Sequence, residues 1–167
     1  FDDKKLNWVC GQHLSNKESN ELLFEMRELY GDWQHDEEEK YVLDVINIVK
    51  TRVKSLTELE YFSRYFFTDP IDFDEKAVRK NWKNSEIGDL MTRYWKSLHD
   101  LLQWDSKSVE EHLRNFSVSE EISAARIIHP TRIAISGHGI GPSLFDLMAL
   151  LGRERILRRI NYAIDNL

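Results

Sequence analysis

One cysteine, Cys10, in 167 residues excludes an intramolecular disulfide and any thiolate cluster for a structural metal. The six histidines are scattered, and none pairs at i, i+4 beside a carboxylate as a zinc site requires, so no metal is expected. No apolar run approaches the ~18 uninterrupted residues of a membrane-spanning helix, and no basic segment with an apolar stretch behind it opens the chain. Strand-like alternation, fixed-period repeats and low-complexity segments are equally missing. No Ser, His and acid constellation and no carboxylate pair stands out from the 29 acids, which leaves no visible catalytic residue. These absences point to a soluble protein of a reducing cytoplasm with no membrane partner. A start at Phe1 rather than Met suggests an excised portion of something longer.

What is present is helical periodicity. Hydrophobic content of 41% with 31% charged residues lies well inside the range of chains that offset their ordering entropy and fold. Leu22, Met26 and Leu29 recur at i, i+4, i+7; Val42, Val45, Ile46, Val49 and Val53 form a second stripe; Leu90, Met91, Tyr94, Trp95, Leu98, Leu101 and Leu102 form a third. Leu144, Leu147, Met148 and Leu151 run to a stop at Gly152, and Ile156, Ile160 and Ala163 resume on a final helix. "YGDW" at 30–33 and "TDPIDFD" at 68–74 break the pattern, Asp74 is placed to cap the helix that follows, and "SVSEEIS" and "HPT" separate later helices. The expected fold class is all-α: two tandem small helical bundles, residues 1–73 and 74–167, with four helices before the proline turn and five or six after it. Most of the five tryptophans are expected to serve packing.

Two features have chemical content. Three of the seven glycines fall in "SGHGIGPSLF", residues 136–145, where Gly137, Gly139 and Gly141 permit close approach of a ligand or another backbone and Pro142 opens a helix carrying Phe145. Free N–H groups at that helix start suit a phosphate or a base edge, although neither a P-loop nor a dinucleotide fingerprint surrounds them. Charge is the second feature. The net charge is −6, yet residues 126–167 hold six arginines and no lysine against three acids, a net of +3, which leaves −9 for residues 1–125. Such asymmetry fits local recognition of an anion rather than general polyanion binding. Arg52 and Lys54 end the helix over 42–53, ahead of the aromatic run Tyr61, Phe62, Tyr65, Phe66 and Phe67, whose edge members could stack on an unpaired base. A helical protein-interaction module docking an acidic partner through the arginine tail, and a small nucleotide-binding enzyme using the glycine turn, are the competing readings.

"TRIAISGHGIGPSLFDLMALLGRERILRRINYAID" resembles the closing segment of bacterial-type glutamyl-tRNA synthetases, approximately "LRVALTG...PGLFELLALLGKERVLRRLERAL". "FDDKKLNWVCGQHL" is similar to that family's "FDxxKLxWxNGxYI", with Cys10 in place of the usual Asn, and "VKTRVKSLTELEYFSRYFF" to its "RVKTLxE" followed by an aromatic pair. The three motifs occur in the family's order and span essentially the whole chain. The resemblance implies an all-helical anticodon-binding region, non-catalytic by itself, that grips the anticodon loop of the glutamate tRNA. It places Arg52 and Lys54 near the third anticodon base, and Arg132, Ser136, Gly137, His138, Pro142 and Phe145 near the first base and its backbone. It further implies a monomer with no cofactor in this chain. The Rossmann catalytic domain, with its HIGH and KMSKS signatures and its ATP and Mg, is expected in cis, upstream of Phe1.

Overall fold

The computed structural model describes residues 11–82 and 85–167, so Trp8, Cys10 and most of the "FDDKKLNWVCGQHL" stretch lie outside the described residues. Every regular element among the described residues is helical, as the periodicity predicts. None of the described helices is long and apolar enough to cross a membrane. The chain forms two compact units, one ending at Phe67 and the other Thr68–Leu167.

In the first unit, residues 11–16 are helical and are followed by α1 (Ser19–Tyr30), α2 (Glu39–Val49), a 3₁₀ turn (Lys50–Arg52) and α3 (Leu56–Phe67). Helices α1, α2 and α3 pack on one another around Leu22, Met26, Val42, Val45, Ile46, Leu59 and Phe66, all completely buried. The Tyr41 hydroxyl donates to the Phe66 carbonyl at 2.8 Å, and the Phe67 ring meets the edges of Tyr41 and Trp33. Leu29, assigned to the α1 stripe by spacing, is 58% exposed, because residues 28–30 protrude as an uncovered last turn ahead of Gly31. Periodicity marks a face of a helix, not how far along it the neighbours reach.

The second unit contains α4 (Glu75–Asn81), α5 (Ser85–Leu98), α6 (Ser106–Ser119), α7 (Ala125–Ser136), α8 (Leu144–Leu151) and α9 (Arg153–Asn166). Helix α9 touches α5, α7 and α8, and its Ile156, Ile160 and Ala163 are fully buried. Two indole N–H groups latch the bundle: Trp95 donates to the Leu157 carbonyl at 2.8 Å and Trp104 to that of Met148 at 2.9 Å. Leu102 is 99% exposed, because α5 ends at Leu98 and its stripe cannot continue. "HPT" does not separate helices: α7 runs through Pro130. A proline inside a helix removes one ladder bond and costs about 3 kcal/mol, here offset by burying Ile127, Pro130, Thr131, Ile133 and Ala134 together.

Residues 68–74 are held against the end of α7 by α9. The Arg159 guanidinium, 3% exposed, donates to Asp69 Oδ1 (2.7 Å), the Ile135 carbonyl (2.6 Å) and the Thr68 carbonyl (3.2 Å). Arg158 reaches both oxygens of the same carboxylate at 3.0 Å. Just beyond, the Asp74 N–H donates to the Gly137 carbonyl (2.8 Å), while Asp74 Oδ1 accepts from the N–H groups of Lys76 and Ala77 and caps α4 as expected. Gly137 closes α7 in the left-handed region at φ 77°, donating to the Ile133 carbonyl at 2.8 Å. A Cβ there would lie 2.5 Å from the Asp72 carbonyl oxygen, and one on Gly139 would lie 2.9 Å from Ala77 Cβ. Gly137 and Gly139 therefore answer to the close passage of residues 70–77.

Burial alone would raise the Asp69 pKa, but hydrogen bonds from Arg159 and Arg158, with their charges, outweigh it and hold the carboxyl below the ordinary range. A depressed folded-state pKa stabilises the fold above the unfolded value, about 4, and that contribution disappears as pH falls through the folded value. Urea midpoints should accordingly drop as pH is lowered below about 4, and Asp69→Asn should flatten part of that drop; an identical pH slope in the variant would assign it to other carboxylates. Gly137→Ala combines a left-handed backbone with a steric clash and should lower unfolding free energy by about 2–4 kcal/mol. A loss under about 0.5 kcal/mol, the ordinary range of surface substitutions, would refute the packing role.

Candidate nucleic-acid contacts

In the first unit the predicted residues stand where α2 gives way to α3. Helix α2 ends at Val49 rather than running to residue 53, and the 3₁₀ turn carries Arg52 just past it. Val53 is extended (φ −120°, ψ 161°) and 2% exposed, so it anchors the segment inward while Arg52 and Lys54 on either side are exposed. Behind them "SLTE" caps α3 in a variant of the capping box: the Glu58 N–H donates to Ser55 Oγ at 3.1 Å, while Glu58 Oε2 reaches one residue further back and accepts from the Lys54 N–H at 2.8 Å. Lys50 adds a bond from Nζ to the Lys17 carbonyl at 2.7 Å. The backbone under Arg52 and Lys54 is thus pinned on both sides while their charged ends stay in water.

Arg52 differs from the other arginines. Among the described residues it is the arginine whose guanidinium has no ion pair, hydrogen bond or ring contact. The arginine-rich tail behaves in the opposite way. Arg158 and Arg159 converge on Asp69, and Arg153 sits 5.6 Å from the Trp104 ring and reaches toward the Leu98 carbonyl. Much of the local +3 is therefore engaged inside the second unit, which deprives a tail-docking module of its instrument. Of the aromatic run, Tyr65 and Phe66 are core, Phe62 and Phe67 are half-buried, and Tyr61 is 48% exposed with the Arg64 guanidinium 5.8 Å from its ring.

In the second unit the predicted residues gather at the end of α7 and the start of α8. Arg132 is half-buried on α7. Ser136 is 3% exposed; its hydroxyl donates to the Arg132 carbonyl at 2.7 Å and accepts from the His138 N–H at 3.2 Å, folding the turn back on the helix. Burial pushes the His138 imidazole pKa below the ordinary histidine value, against the opposing charge of Asp74, which favours the neutral ring. Ile140, at the tip, is 71% exposed. Pro142 is buried just ahead of Ser143, the N-cap of α8, whose side chain makes no capping hydrogen bond. The first turn of α8 already has an acid, Asp146, which accepts from Ser106 Oγ at 2.6 Å, so the helix start is less open to an anion than its sequence implies. Phe145 is half-buried, and the Arg114 guanidinium of α6 lies 6.0 Å from its ring. Arg114 was not foreseen: its i, i+4 pairing with Glu110 reads as a solvated helix face, and only the packing of α6 on α8 brings it to Phe145.

The second unit thus places an exposed apolar tip, a half-buried imidazole and an aromatic ring beside a cation at one turn, and the first carries, beside an exposed lysine, a guanidinium with no partner among the described residues. Flat apolar surfaces with guanidinium donors suit unpaired bases and the phosphates that join them. No group of three or more metal-ligating side chains occurs among the described residues.

Comparison with known proteins agrees along nearly the full length. The chain is 34% identical to a glutamate–tRNA ligase of Chloroherpeton thalassium over 177 aligned residues, covering 100% of this chain and 35% of that protein. It is 34% identical to the glutamate–tRNA ligase of Moorella thermoacetica, covering 98% of this chain and 34% of the relative. The crystal structure of a glutamate–tRNA ligase from Elizabethkingia meningosepticum superposes with a TM-score of 0.83 at 25% identity, over 96% of this chain and 32% of that one. The chain therefore spans about a third of the length of the relatives it matches. The profile of the family described as "Anticodon binding domain" matches residues 20–164, and the chain belongs to that anticodon-binding family.

Proposed function

We propose that the chain reads the anticodon loop of the glutamate tRNA on behalf of a cytoplasmic glutamate–tRNA ligase, with ATP- and Mg-dependent glutamate attachment carried out by a catalytic domain in cis. Arg52 carries the reading furthest. A guanidinium held out on a pinned backbone turn, with no ion-pair partner among the described residues, offers its donor fork to a base edge or phosphate. Lys54 adds a second positive charge next to it, matched in this reading to the third anticodon base. At the turn after α7, Arg132, His138 and Phe145 are assigned to the first base and its backbone. Ser136, Gly137 and Pro142, all buried, act on the same base by holding the turn in shape. A lowered imidazole pKa favours the neutral form of His138, whose acceptor nitrogen a charged imidazolium lacks.

Affinity of this chain alone is expected to be modest, because it carries −6 overall. Titration at low salt with tRNA transcripts should nevertheless show preference for the glutamate anticodon, weakened by substitution of its bases. Arg52→Ala should cost about 1–3 kcal/mol of tRNA affinity with the circular dichroism spectrum unchanged. Equal binding of every transcript, or an Arg52→Ala chain that binds as tightly as the parent, would refute the reading.

A further inference from the structure

A second basic feature of the Thr68–Leu167 unit lies away from the glycine turn. A cavity of about 310 Å³ is lined by Lys80 and Asn81 at the end of α4, Ile87 of α5, and Arg126, His129 and Pro130 of α7. Lys80, Arg126 and His129 are exposed, and no carboxylate is among the described residues that line the cavity. Arg126 is only loosely restrained, since its ion pair with Glu86 spans 4.0 Å. Ile87 and Pro130 supply an apolar wall beside these donors. Cations and an imidazole around a partly apolar hollow match a phosphodiester with its attached sugar better than a flat base or an acidic side chain.

The position on α7 gives this hollow a direction. His129, Arg132 and Ser136 follow one another at i, i+3, i+7 and so lie along one face of the helix. At 1.5 Å per residue, His129 stands about 10 Å before Ser136 along the axis. That face runs from the cavity to the turn assigned above to the first anticodon base. We propose that the cavity is a phosphodiester-binding subsite for a nucleotide neighbouring the one read at residues 136–145; the proposal rests on the anticodon reading for the identity of the strand.

Two measurements on the full chain test it. An anticodon stem-loop RNA is titrated against the parent, a variant with Lys80→Ala and Arg126→Ala, and Arg79→Ala, a control whose cation pairs with Glu75 and does not line the cavity. The double variant should bind about tenfold more weakly at low salt, with the slope of log K against log salt reduced by about 1 to 2. Its ratio of affinities for native and substituted anticodons should be unchanged, and Arg79→Ala should stay within about twofold of the parent. In the second measurement inorganic phosphate is added without RNA. It should shift the His129 ring-proton resonances of the parent and not those of the double variant. Equal effects of Arg79→Ala and the double variant, or His129 resonances indifferent to phosphate, would overturn the subsite. A phosphate response in a chain that binds all RNAs alike would refute the anticodon reading instead, and would reassign the cavity to a free phosphate ion.

Discussion

The second unit depends on the Arg159 guanidinium, a charge sunk among apolar helices that tolerates burial only because every direction it faces offers an acceptor. An unpaired buried cation would be prohibitively costly, so the Thr68 and Ile135 carbonyls and the Asp69 carboxylate must sit where they do. That requirement draws residues 68–74 across the end of α7. Once they are there, Asp72 passes so close to residue 137 that only glycine fits, and Asp74 both bonds the Gly137 carbonyl and caps α4. The shape of the 136–142 turn is thus a remote consequence of a side chain on α9.

The electrostatics follow from the same economy of partners. Six arginines in the last 42 residues give that segment its positive balance, but charge in a sequence count is not charge available at a surface. Arg158 and Arg159 share one carboxylate, and Arg153 rests against Trp104. Arg52, in the acidic part of the chain, has no partner among the described residues. Availability is decided by whether the fold supplies an acceptor, and the pinned turn around buried Val53 withholds one.

Much of the fold was legible in residue order because its signals are local. The stripes of α2, α5 and α9, the cap at Asp74 and the stop at Gly152 depend on neighbours within a turn or two. Where reading by pattern failed, the deciding partner was distant. Leu29 and Leu102 are apolar at helical spacing yet exposed, since no neighbouring helix covers those ends. Pro130 looks like a break, but α4, α5 and α9 close around α7 and make its continuation worthwhile. The glycine turn had the residue types of a ligand cradle, and the neighbour it accommodates proved to be the protein's own backbone at Asp72.

Helix content, the absence of strands among the described residues, the cap at Asp74 and the family motifs follow from covalent order alone, because each reflects interactions among residues close along the chain. Which cations remain unpaired, why glycine is required at 137, and how Arg114 comes to lie over Phe145 were decided only when segments far apart in the chain met. Burial and pairing belong to neighbours in space, and a linear pattern does not specify those neighbours until the helices have packed.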